Sequence, residues 1–276
     1  MSAWNDRRKT LACLLFSILF LTVLLLTSLW MSRDPLEVDL KNRNLAPSLE
    51  HLFGTDWLGR DMLSRTVKGL GISFAIGLVT ALFSTLVAFI FSLLSAWSKW
   101  MDRFITWLID LFLSVPHIVM VILISFALGG GFQGVATALV LTHWPSLTRV
   151  LRAEVLQVHS LPYVGISRRL GKSKRWISFH HLLPQLMPQL FIGFLLTFPH
   201  AILHEAALTF LGLGLPAEQP AIGVILSESV QYLSTGMWWL AFFPGLTLLL
   251  MVAMFDLLGK SLRKWIDPHY EAKGQI

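Results

Sequence analysis

Five long apolar stretches decide what this chain can become. Residues 11–30 and 70–98 contain no Asp, Glu, Lys or Arg; of these residue types 104–148 contains only Asp110, 186–215 only Glu205 and 237–259 only Asp256. A helix needs about 20 apolar residues to cross a ~30 Å hydrocarbon core, and in lipid each backbone N–H and C=O must find its partner within the protein. The 104–148 stretch is divided by Gly129-Gly130-Gly131, which fits two helices joined by a tight turn. The expectation is an all-α polytopic membrane protein with six transmembrane helices. A membrane β-barrel would need segments of about ten residues with alternating polarity, which these unbroken runs do not provide. Only 14% of the residues are charged, against roughly a quarter in soluble domains, so a soluble fold is excluded as well.

The first apolar run follows Arg7-Arg8-Lys9, as a secretory signal would. It is longer than a usual signal core, however, and Thr27-Ser28-Leu29-Trp30-Met31 offers no small-x-small cleavage site, so it reads as a retained anchor. The single cysteine, Cys13, rules out an internal disulfide and a multi-cysteine metal site. Lysine and arginine in the loops set the orientation. With the N-terminus in the cytoplasm, sixteen of the 22 basic residues fall inside and six outside, all six in the first external loop, where six acids balance them. Both termini are therefore expected in the cytoplasm. The excess positive charge then matches anionic lipid headgroups and gives no reason to invoke nucleic acid.

Two motifs stand out from this background. The external loop ends in Gly54-Thr55-Asp56-Trp57-Leu58-Gly59-Arg60-Asp61-Met62-Leu63-Ser64-Arg65. Gly54 and Gly59 permit turns, Asp56 or Thr55 can cap a helix start, and Asp61 and Arg65 are spaced for an i,i+4 pair. Further on, a basic hydrophilic island carries Arg152, Arg168, Arg169, Lys172, Lys174 and Arg175. It holds Gly171 thirteen residues before the proline of Leu183-Pro184.

Both motifs resemble those of ATP-binding-cassette importer permeases of the peptide/nickel class. The first is similar to a signature placed before the second helix. The second resembles the cytoplasmic loop that docks on the ATPase subunit. Tyr163, Arg168, Gly171, Ser173, His181, Leu183 and Pro184 match that loop, whereas Pro162, Ile166 and Ser167 replace its usual Glu, Ala and Ala. The chain looks like the second, C-type permease of such an importer, with the type I importer permease fold. The resemblance implies an anchor helix and external loop over 1–68, a five-helix core over 69–262 holding the docking loop 149–185, and a cytoplasmic tail over 263–276. It also implies partners: a homologous permease, two cytoplasmic ATPases, an extracytoplasmic solute-binding protein and the bilayer of a bacterial inner membrane. ATP and magnesium would reside on the ATPases, and this chain would bind no cofactor. Gly171-Lys172-Ser173 imitates the end of a phosphate-binding loop, but Ile166 stands where its first glycine must be, so the backbone cradle cannot form.

Ionisable groups at membrane depth are costly and usually face protein or water. His200 and His204 lie four apart, hence on one helical face, with Glu205 adjacent and Pro199 just before. They are candidate metal ligands, neutral imidazole being a good donor to nickel, copper or zinc. Together with Glu205 and His143 they are also candidate pathway residues, and hydrogen bonding to a partner permease is the competing role. The order His-x-x-x-His-Glu is not the zinc-protease arrangement, whose glutamate lies between its histidines. His143-Trp144 and Leu203-His204 resemble nickel-type permeases, while Glu205-Ala206-Ala207-Leu208 with Phe210–Gly214 resembles the dipeptide group. Nickel or a nickel chelate is the leading cargo expectation and a di- or oligopeptide the alternative. A self-sufficient carrier would show an internal inverted repeat, and an intramembrane hydrolase a ligand triad with a base; neither is evident.

Overall fold

The computed structural model describes residues 2–31 and 36–266. Those residues form helices and no β-strand: α1 (Ser2–Trp30), α2 (Met62–Ser95), α3 (Lys99–Leu113), α4 (His117–Ala127), α5 (Gly131–His159), α6 (Pro162–Arg169), α7 (Lys174–Ile177), α8 (Leu183–Phe210), α9 (Ile222–Leu233) and α10 (Trp239–Ile266). Arg33 and most of the 263–276 tail lie outside the described residues. Among these helices α1, α2, α8 and α10 are long and apolar enough to cross a membrane. The third span expected from the sequence is broken. The α3–α4 pair bends by 92°, because Pro116 disfavours helical geometry at Val115 and stands as the non-helical cap residue before α4. Counted as one span, the pair makes a fifth. The 29-residue α5 completes the expected six by its length of about 44 Å, although Gln133, His143, Arg149 and Arg152 lower its hydropathy.

Two helices run further than the charge pattern suggests. α2 begins at Met62 and carries Arg65 and Lys68 within it, across the 68/69 boundary. α5 continues through Arg149 and Arg152 to His159, so the segment between it and α8 is shorter than the loop 149–185. Arg149 donates to Asp110 at 2.8 Å, and Arg152 makes a two-pronged contact with Asp102. α2 is the central helix, packed most extensively on α5 and α8, while α1 lies on α10. Its buried Ser73, Gly77, Ala81, Ser84 and Ala88 recur at helical spacing, and small residues are what allow helices in lipid to approach closely. A methyl group on Gly77 would come within 2.7 Å of Ile202 on α8.

The connections sort to two ends of the bundle. At one end the Gly131 N–H donates to the Gly214 carbonyl, and Trp239 Nε1 donates to the Thr55 carbonyl. The α4–α5 turn thus meets the segment after α8, and the far part of that segment, at Pro220, lies against Gly69 near the start of α2, just beyond the first loop. At the other end Lys174 Nζ donates to the Trp97 carbonyl, which brings the α2–α3 turn beside α6 and α7.

Candidate functional site

The first loop is clamped onto the bundle by a buried ion network. Asp56 is fully buried and accepts from Arg60 Nε at 2.6 Å and from Arg65 at 2.9 Å. Both guanidinium groups also reach Glu228 on α9, at 3.2 and 2.8 Å. The expected Asp61–Arg65 pair is not formed, because Arg65 turns toward Asp56 and Glu228. The helix cap is also neither Asp56 nor Thr55. Asp61 caps α2 by accepting from the Ser64 N–H at 2.9 Å, and it holds His51 at 3.0 Å. Asp56 instead uses its second oxygen on the Leu58 and Arg60 N–H groups, closing the turn. Thr55 ties the loop to itself, accepting from the Leu45 N–H at 2.9 Å. Gly59 has φ +75°, and a Cβ there would lie 1.7 Å from the Asp39 carbonyl oxygen. Glu228, which completes the network, had no local signal, since only the packing of α9 brings it to the motif.

At the opposite end α6, α7 and a π-type turn at Ser178–Leu182 form a helical hairpin. Buried Val164, Ile177 and Leu182 anchor it on Val155 and Val158 of α5. Gly171, at φ +78°, makes the turn between the two short helices, a conformation that costs glycine nothing. Ser173 caps α7 by accepting from the Trp176 N–H. Pro184 sits in the first turn of α8, where its missing N–H does no harm. Tyr163 donates to Gln185 at 2.8 Å, and Ser167 and His181 are joined at 2.9 Å. Several matched residues therefore build the hairpin itself. The surface it presents is Ile166, Leu170 and Phe179, all largely exposed, together with Arg168.

The intramembrane candidates divide. His143 and His204 come together, with ring centroids 5.4 Å apart, and His117 from the start of α4 joins them at 4.6 and 4.4 Å. One ring nitrogen from each of the three lies within 4.8 Å of the others. His200 lines the same cavity but is not in that cluster; His204, the other residue of the expected pair, meets His117 and His143 from two other helices. Glu205 is not there at all. It is fully buried and accepts from Ser73 at 2.6 Å and Thr209 at 3.0 Å, tying α8 to α2 within this chain. The cavity measures about 540 Å³ and is lined by His117, Thr142, His143, Gln189, His200 and His204, among others. His117 follows a helix-breaking proline, and no spacing in the sequence connects it to α5 or α8.

A family described as "Binding-protein-dependent transport system inner membrane component" matches residues 88–271. The dipeptide transport system permease protein of Bacillus subtilis is 33% identical over 96% of this chain and 84% of its own length. A protein of Brucella suis named "Putative peptide transport system permease protein" is 32% identical over 97% of this chain and 90% of its own length.

Proposed function

The chain belongs to the family of binding-protein-dependent transport system inner membrane components, and from that premise we propose that it serves a di- or oligopeptide importer. It is a permease subunit of an ATP-binding-cassette importer, a multi-pass inner-membrane protein and not itself an enzyme. The cargo reading rests on one observation: similarity to permeases named for peptides extends over nearly the full chain. Those names favour the peptide alternative over the nickel that the histidine pattern put first.

In the proposed mechanism a binding protein delivers peptide to the end formed by the first loop and the 211–221 segment. A homologous permease supplies the other wall of the pathway, and two ATPases engage the α6–α7 hairpin. Closure of the ATPase pair moves the hairpin, and the bundle opens outward; hydrolysis resets it. The Asp56–Arg60–Arg65–Glu228 network keeps the first loop and α9 moving as one body, since separating them would strand buried charge. Uptake of a radiolabelled dipeptide in cells with and without the gene tests the cargo. Loss of uptake on deletion, restored by the intact gene, is expected; unchanged uptake of a panel of di- to pentapeptides would overturn it.

A further inference from the structure

Three imidazoles from separate elements meet at the cavity wall: His117 where α4 begins, His143 in the middle of α5 and His204 near the end of α8. The ring contacts alone would suit simple packing, but the hydrogen bonding does not. His143 Nδ1 lies 2.8 Å from the Leu139 carbonyl oxygen. A carbonyl can only accept, so Nδ1 carries the proton and Nε2 presents a bare lone pair. That Nε2 is buried without a hydrogen-bond partner, as is Nδ1 of His117. An unpaired buried ring nitrogen is normally costly. Two of them in one triad, with one tautomer fixed by a backbone carbonyl, form the arrangement by which proteins orient histidine toward a metal.

We propose that His117, His143 and His204 bind a late first-row divalent cation such as Ni²⁺, Cu²⁺ or Zn²⁺. Imidazole suits these ions, whereas Mg²⁺ and Ca²⁺ prefer oxygen donors. Bonds of about 2.0–2.1 Å at tetrahedral angles hold ligand nitrogens roughly 3.3 Å apart. The nitrogens lie within 4.8 Å of one another, so modest ring movement closes the site. A fourth position faces the cavity and can take water or a carboxylate or amine of a small chelator. Glu205 is engaged with Ser73 and Thr209, so it does not supply the counter-charge, which falls to the cavity-side ligand.

The importer complex, purified through a tag without histidine and stripped of metal, would be titrated with Co²⁺ and Ni²⁺ alone. One equivalent of Co²⁺ should bind, with the intense visible bands of a four-coordinate ion. Losing a partner behind a ligand already costs about 10–100-fold in affinity, so His117→Asn, His143→Asn and His204→Asn should each weaken binding at least tenfold. Half-buried His117 and His204 carry the test if the His143 variant fails to assemble, and the thermal midpoint of each complex reports folding. Binding equal in the wild type and the triple variant would overturn the site, as would a loss in His200→Asn matching that in His117→Asn. Presenting Ni²⁺ as its histidine complex separates the two sources of the ion. Retention of labelled histidine with the metal assigns a chelate, and retention of metal alone assigns the free cation. The readout is metal binding, so failure here leaves the peptide reading standing, and failure of peptide uptake leaves the metal site standing.

Discussion

Arg65 carries its guanidinium into a buried position on α2, where Asp56 and Glu228 share its charge. Removing one partner of a buried ion pair typically costs about 3–5 kcal/mol, because the other charge is left uncompensated. Arg65→Met should therefore lower the thermal midpoint of the purified complex sharply, and Arg65→Lys less so, since one donor still reaches Asp56. Equal midpoints for Arg65→Met and wild type would mean that the network does not hold the loop. Asp61 responds to pH. Burial pushes its carboxyl up, but the hydrogen bonds from His51 and Ser64 outweigh that, and the net shift is downward. A depressed carboxyl contributes stability that is complete above its unfolded value of about 3.9 and fades as pH falls through the folded value. Limited proteolysis of the first loop should thus be flat from pH 7 to about 5 and accelerate below about 4. In Asp61→Asn the acid-dependent acceleration should shrink with the cap largely kept, since Asn and Asp cap helices about equally well, whereas Asp61→Ala should add a loss of about 1 kcal/mol at neutral pH. Of these residues the sequence motif named Asp56, Asp61 and Arg65 but misassigned their partners. Pairing depends on how the turn at Gly59 folds back, and spacing along one helix does not contain that.

Among the elements, α1, α2, α8 and α10 were legible because nothing but their apolarity had to be read. The ends were not. Arg65, Arg149 and Arg152 looked like loop residues, yet acids on other segments neutralise them, and the helices run through them. α9 escaped because twelve residues are too few to span a bilayer, and the α3–α4 bend escaped although Pro116 marks its place. The hairpin was better specified: Gly171 and Leu183-Pro184 fall where its turn and the start of α8 require them. Two substitutions separate its folding from its docking. Gly171→Val puts a β-branched residue at positive φ, a strain of at least about 1–2 kcal/mol, and should abolish uptake while insertion into the membrane persists. Leu170→Asp changes a side chain that is 74% exposed, so it should leave the chain's stability unchanged and release the ATPase subunits. Co-purification of the ATPases with the Leu170→Asp permease at the wild-type ratio would show that they do not dock on this surface.

Across the whole molecule two independent arguments meet. Counting lysine and arginine divided the loops sixteen to six without reference to shape. The packing then gathered the same loops at opposite ends: the first loop on α9 and the start of α10, the α4–α5 turn on the segment after α8, and the α2–α3 turn with Lys174. Agreement of this kind is expected only if the crossings are assigned correctly, because one missed span would exchange every later loop between ends. Counting the bent α3–α4 pair as one span preserves the alternation; counting it as two would not. In the proposed orientation, which follows the positive-inside rule, the hairpin end faces the cytoplasm. In a Cys13→Ser background, Ala217→Cys, exposed between α8 and α9, should react with an impermeant thiol reagent applied to intact cells after outer-layer permeabilisation. Ser173→Cys, exposed on the hairpin, should react only once the inner membrane is opened. The reverse pattern would invert the molecule and move the ATPase surface to the far side, where no ATP is available. Labelling of both sites from one side would instead mean that α8, the helix between them, does not cross the bilayer, which would take His204 out of the cavity it shares with His117 and His143.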